Sequence, residues 1–271
     1  MAAAAVTDGM LTLDEAVSDT LTEWQSDPEK CAITVRQLLS MTSGVPSEIG
    51  KPPSYAAALD VPLIAEPGEK FLYGPVPMQI FGEFMRRKLE DAGYSPDPLA
   101  YLDARILKPI GITDYKWRKG KDGNPLMPQG AILSADQWAK YGEFVLHRGN
   151  VNGEQMVDKA AFDELFAGSQ ANPAYGLTWW LGRATSTNDP VTANSDLTSR
   201  LEELPPDIVF AAGAGDQRLY VIPSLNMVIV RQAKLDIASL IANKGKSEWS
   251  DTDFLTMLLE CTTTPCEPDP Q

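Results

Sequence analysis

The sequence has one histidine, three cysteines and no long apolar run. Each scarcity removes a class of chemistry. A Ser-His-Asp triad would have to use His147, which stands near the end of an expected helix beside Arg148, where surface residues are common. No Gly-x-Ser-x-Gly elbow accompanies it. One histidine and scattered cysteines cannot build a metal site. Cys261 and Cys266 have the spacing Cys-x4-Cys with no neighbouring ligand. They are close enough to pair in an oxidising compartment, but an odd cysteine total does not describe a disulfide scaffold. There is no Gly-x-x-x-x-Gly-Lys loop, and Gly213-Ala-Gly215 lies between two strand-like runs rather than ahead of a helix. No cofactor is implied. The longest apolar stretches, such as Met227 to Val230, are strand-sized, far short of the ~18–20 residues of a membrane span. Positive charge is also scarce: 23 Lys and Arg against 37 Asp and Glu leave a formal charge of −14. Such a chain repels phosphate backbones and anionic lipid, so nucleic acid and membrane surfaces are poor partners. The one basic cluster, Arg86-Arg87-Lys88, reads as a solvated helix face. Compartment and oligomeric state stay open.

What remains is an ordinary globular composition, with 271 residues and 44% apolar content, enough for one large domain or one domain with an inserted subdomain. Ala2 to Thr7 is strong helix sequence with Gly9 as its stop, although six residues cannot hold a helix alone. Thr12 to Glu15 is expected to start a short helix capped by Thr12. Further helices are expected over Thr34–Met41, Met78–Ala92, Pro98–Ile110, Ala135–His147 and Lys159–Phe166, the last four ending at glycines. The pattern changes near Tyr175. Strands are expected over Tyr175–Leu181, Ile208–Ala212, Gln217–Ile222 and Asn226–Arg231, the last two joined by the turn Pro223–Asn226. Asp251 to Glu260 closes the chain as a helix. The reading is an α+β fold: one domain over 1–260, with a helical region about 33–170, a sheet region about 175–232 and a closing helix about 251–260, then a polar tail over 261–271.

Two stretches carry candidate chemistry. In Pro67-Gly-Glu-Lys-Phe-Leu-Tyr73-Gly-Pro75, a tyrosine at the end of a Pro-Gly loop is either an available phenol, able to act as a general base, or a packed aromatic. In Phe210-Ala-Ala-Gly-Ala-Gly-Asp-Gln-Arg-Leu-Tyr220, small residues either admit a ligand to backbone N–H groups, as an oxyanion hole requires, or serve only the hairpin's geometry. If both are functional, the two face each other across one cleft, within about 10 Å. Trp138, Trp179 and Trp180 are candidates for an acyl pocket or, more simply, for the core.

A third stretch joins these. Ile33-Thr-Val-Arg-Gln-Leu-Leu-Ser-Met-Thr-Ser-Gly44 resembles a segment of the β-lactamase-related serine hydrolases, which include class C β-lactamases, DD-peptidases and family VIII carboxylesterases. Asp8-Gly-x-Leu-x-Leu-Asp-Glu15 precedes it. Pro67-Gly-x-x-Phe-x-Tyr73, Gly130-Ala-Ile-Leu-Ser-Ala-Asp136 and the Ala-Ala-Gly strand follow in the family's order, over roughly Ala2 to Val230. The resemblance implies an antiparallel sheet flanked by helices, with a mostly helical subdomain. It implies hydrolysis of a small-molecule ester or amide through an acyl-enzyme. Tyr73 matches the base tyrosine, Ala211-Ala212-Gly213 the strand motif edging the substrate, and the N–H of Ala214 one oxyanion donor.

The sequence departs from the family pattern in three places. Pro75 stands where the family's Tyr-x-Asn has its Asn, and Ala211 where the strand motif has Lys or His. Both losses remove polar contacts and point to esters or amides rather than β-lactams. No serine is followed three residues on by lysine, so the Ser-x-x-Lys nucleophile motif is absent. In relatives, the helix beginning with Ser-x-x-Lys runs into an Ala-rich stretch and an Asp-Gly turn. The resemblance therefore implies that Ala2 to Thr7 is the back half of that helix, that the first strands and the front half are missing, and that this chain is unstable alone and inactive. The other readings are a non-catalytic relative that binds a small ligand or a protein partner through a retained cleft, and a structural domain with no site.

Overall fold

Helix α1 (Ala2–Thr7) ends where its sequence predicts. Gly9 takes φ +71°, its N–H donates to the Val6 carbonyl at 3.0 Å, and the Met10 N–H reaches back to Ala5 at 2.9 Å. This is a Schellman stop, which needs a residue that tolerates the left-handed region. Six residues hold a helix here because tertiary packing replaces length. Ala2 and Ala5 pack into a helical core, while Ala3 and Ala4 pack into a second core beneath the sheet.

The computed structural model describes residues 1–48, 50–185, 196–198, 200–234 and 249–263. After α1, the stretch Thr12–Glu15 is a turn and not the expected helix. Its carbonyls are committed elsewhere: Leu13 accepts from the Arg36 N–H at 2.7 Å and Glu15 from the Val35 N–H at 3.3 Å. Those donors are among the unpaired amides at the start of α2 (Val35–Leu39), so one segment's loss of helix satisfies another's end. Thr34 caps α2 as expected, in a capping box with Gln37, but the helix stops at Leu39 rather than Met41, which takes φ +59°.

Helix α3 (Tyr55–Leu59) lies on α4 (Val76–Asp91). Gly82 permits the contact, since a Cβ there would come 2.4 Å from the Tyr55 ring. Ile80, Phe81 and Phe84 of α4 join Leu38 of α2 in the helical core. Arg86, Arg87 and Lys88 are not simply solvated. They pair with Glu83 and Glu90, with Glu83 and Glu23, and with Glu15, which ties α4 to the amino-terminal segment. The helix expected over Pro98–Ile110 is α5 (Pro98–Leu102) followed by a π-helical turn over Asp103–Leu107. A short ladder, β1 (Lys116–Trp117) with β2 (Ala131–Ile132), precedes α6 (Ala135–Leu146), whose Ser134 cap forms a second capping box with Gln137. The ladder of β3 (Asn150–Val151) with β4 (Glu154–Gln155) leads to α7 (Lys159–Asp163), continued by one 3-10 turn to Phe166.

The main sheet has the order β5 (Trp180–Leu181), β6 (Val209–Gly213), β7 (Gln217–Ile222) and β8 (Met227–Arg231), all antiparallel. Of the strand expected over Tyr175–Leu181 only its last two residues are strand. Thr178 takes φ +68° and gives its N–H to Leu39 of α2, so the segment turns before joining the sheet. The period of two sorts the sheet's faces. Leu181, Leu219 and Val221 face α6 and α7, where Gly142 allows close approach: a Cβ on it would meet Val228 at 2.4 Å. Trp180, Phe210, Tyr220 and Ile222 face the other way, onto Leu255 of α8 (Asp251–Thr263). Among the described residues β8 pairs only with β7. Cys266 and the tail from residue 264 lie outside the described residues, so the pairing with Cys261 does too.

Candidate active site

The loop carrying Tyr73 is fixed by the chain leaving α2. Ile64 donates its N–H to Gly44, Gly68 to Thr42 and Leu72 to Met41, at 2.9, 2.6 and 2.8 Å. Gly44 must be glycine: it has φ +82°, and a Cβ there would lie 2.1 Å from the Ala65 carbonyl oxygen. On the other side of Tyr73, Gly74 passes so close to Ser47 that a Cβ would meet the serine Cβ at 2.0 Å. Ser47 Oγ accepts from the Val76 N–H at 3.1 Å, which satisfies one orphan amide of α4. Pro75 is buried at the N-cap of α4, with φ −76°; its side chain offers no polar group and its carbonyl accepts from the Gln79 N–H at 3.1 Å.

Tyr73 is half-buried in an aromatic enclosure. Its ring centroid is 5.4 Å from Trp180, 5.7 Å from Tyr175 at 90°, and 6.2 Å from Phe71. Burial, with Tyr73 adding to it, raises the Tyr175 phenol well above the usual tyrosine value, so Tyr175 stays neutral.

Trp180 links this loop to the strand motif. It pairs in register with Phe210, and the two rings stack at 6.2 Å. Ala212, two residues on, packs against the same apolar cluster as Tyr73. The structure therefore brings Tyr73 and Ala212 to one face of the sheet. Ala211 goes to the opposite face, against the cluster under α6, as strand alternation requires. Gly213 and Ala214 are exposed at the β6–β7 turn. Gly215 and Asp216 take φ +72° and +57°, and the Gln217 side chain donates to the Gly215 carbonyl at 3.0 Å. The turn that carries Ala214 is thus braced by its own strand.

Sequence reasoning left out Tyr175 and Ser47 as parts of this site and carried Phe71 only as the Phe of the Pro-Gly-x-x-Phe-x-Tyr stretch. Only the Pro-Gly punctuation before Tyr73 hinted at a constrained loop. Trp179 and Trp180 are buried in the core, and Trp138 packs partly buried beneath the sheet. His147 is exposed. Among the described residues no group of three or more His, Cys, Asp or Glu could hold a metal, and no helix is long and apolar enough to cross a membrane.

Three solved structures illustrate what the fold is similar to. A class C β-lactamase superposes with a TM-score of 0.63 at 14% identity, over 98% of this chain and 79% of that one. A Bacillus anthracis protein provisionally assigned as a 6-aminohexanoate-dimer hydrolase gives 0.64 at 16%, over 97% and 71%. The octameric penicillin-binding protein homologue of Pyrococcus abyssi gives 0.57 at 19%, over 95% and 62%. No curated protein matches the chain. The β-lactamase family model matches residues 1–236, with the Tyr73 loop and the Ala-Ala-Gly strand both inside the match. The chain belongs to the β-lactamase family, with its serine-hydrolase fold.

Proposed function

We propose that the chain carries the tyrosine and strand side of an acyl-transfer cleft whose substrates are esters or amides rather than β-lactams. Tyr73 is the proton-accepting phenol, and the Ala214 N–H donates to the oxygen that becomes negative as the acyl carbon turns tetrahedral. Ala212 and Gly213 edge the substrate. Pro75 leaves out the amide that would hold a polar, carboxylate-bearing ring, and an apolar acyl group loses nothing by its absence. The relative named as a 6-aminohexanoate-dimer hydrolase agrees with a substrate outside the β-lactams. The observation that carries the reading is that Tyr73 and Ala212 both pack against one apolar cluster.

These 271 residues hold no Ser-x-x-Lys. The nucleophile of the family's acyl-enzyme step is therefore lacking in this polypeptide, and it is inactive as written. The test is release of nitrophenol from p-nitrophenyl acetate. The expected result is the buffer rate for the chain and for Tyr73→Phe alike. Rapid turnover that Tyr73→Phe abolishes overturns the inactivity.

The second reading, a non-catalytic relative that binds a small ligand or a protein partner through the same cleft, is favoured by Pro75, the apolar residue beside the Tyr73 loop. It predicts saturable quenching of Trp180 fluorescence by a short-chain ester, weakened by Tyr73→Ala. An unchanged signal removes it.

A further inference from the structure

A cleft opens at the far end of β6. It encloses about 410 Å³, within the range of small-molecule sites. Its walls come from the end of α6 (Leu146), the turn after α7 (Phe166) and the sheet (Leu181, Val209, Val221), so its body is apolar. Val209 and Gly213 are opposite ends of one strand, roughly 13 Å apart at the usual rise, so this cleft is separate from the Tyr73 site.

Charge at its rim is unevenly matched. Arg148 and Arg183 both line it, as do Asp163 and Asp207. Asp163 is paired with Arg148. Asp207 caps the turn into β8, accepting from the Ser224 N–H and hydroxyl at 2.6 and 2.8 Å. Arg183 is exposed, and among the described residues its guanidinium has no carboxylate partner. In a chain of net charge −14, an apolar cleft edged by an uncommitted guanidinium runs against the general field.

We propose that this cleft binds an amphiphilic monocarboxylate, with an acyl or aryl body against Phe166, Leu181 and Val209 and the carboxylate on Arg183. The guanidinium fork matches a carboxylate in a way that it does not match an alcohol or an amine. The proposal does not depend on the reading of the Tyr73 site.

The test uses the full chain with octanoate and octan-1-ol, followed by calorimetric titration. Octanoate should bind saturably, and octanol at least about tenfold more weakly, the size of one charge-assisted hydrogen bond. Arg183→Gln, at an exposed position, should weaken octanoate by about the same factor and leave octanol unchanged, while Arg183→Lys retains part of the affinity. Tyr73→Phe should change nothing. Equal binding of acid and alcohol, octanoate binding that is insensitive to Arg183→Gln, loss of binding in Tyr73→Phe, or no binding at millimolar octanoate would each overturn the proposal.

Discussion

The ring of Tyr73 lies 5.4 Å from that of Trp180, centroid to centroid, with the planes inclined at 34°. A loop between helices and the first strand of the sheet's order, β5, meet at this contact. Trp180 is only 4% exposed and also touches Phe71, Tyr175 and Phe210. Trp180→Ala should therefore cost about 3–5 kcal/mol, the usual range for deleting a large buried aromatic. Denaturant unfolding measures it. A change below about 1 kcal/mol would mean that the indole is not a core residue, and that its alternative role in an acyl pocket has to be taken up again.

Gly74 carries no side chain because Ser47 occupies the space. Gly74→Ala should destabilise by about 1–3 kcal/mol, since both sides of the clash are held in place. The nearest atom is the Ser47 Cβ itself, so only a change to glycine at position 47 clears it. The double variant with Ser47→Gly should recover the packing part and keep the loss of the Val76 cap. If Gly74→Ala alone is neutral by thermal melting, the loop is looser than its geometry indicates.

Arg218 of β7 and Asp251 at the start of α8 form a buried ion pair at 2.7 Å. Tyr220 and Trp249 also donate to that carboxylate. Asp251→Asn leaves the buried guanidinium only the more distant Asp216, 3.7 Å away, as a counter-charge, and about 3–5 kcal/mol should be lost. Replacing both partners by apolar residues of similar volume should cost less than that single change. The comparison is a double-mutant cycle by urea unfolding, and a loss below about 1 kcal/mol for Asp251→Asn would contradict the burial of the pair.

Stability should fall in acid for an identifiable reason. The hydrogen bonds from Arg36 hold Asp14, and those from Arg87 hold Glu23, below their ordinary values of 3.8 and 4.5. A carboxyl with a depressed folded pKa binds its proton more readily in the unfolded chain. Its contribution is complete well above pH 4.5 and is lost as the pH drops through the unfolded values towards the folded ones. Glu23→Gln should lower the neutral plateau and flatten the acid limb of a stability–pH curve, the two curves converging at low pH. An unchanged slope would show that the Arg87 pair does not persist in solution.

Local chemistry explains which parts of the fold were legible in the sequence. Gly9, the Thr34 and Ser134 caps, and the Pro223–Asn226 turn each act within a few residues, and each holds in the structure. Thr12–Glu15 and Tyr175–Thr178 read as a helix and a strand but are neither: Leu13 and Glu15 accept from the first amides of α2, and the Leu177 and Thr178 amides go to Leu165 and to Leu39 of α2, all distant in sequence. The site divides in the same way. The Pro-Gly loop and the small residues of β6 stood out, whereas the aromatic enclosure of Tyr73 draws on Phe71, Tyr175 and Trp180, which no local pattern joins. The placement of Ala211 against the α6 side follows from strand alternation once the inward position of Phe210 is known.

The most direct test of the account is intact-mass analysis after brief exposure of the chain to p-nitrophenyl acetate, with tryptic mapping of any adduct. The account predicts no acetylated serine and no stoichiometric burst of nitrophenol. A single acetyl group on one serine, formed in a burst and lost in Tyr73→Phe, would contradict it by supplying the nucleophile that the family motif does not.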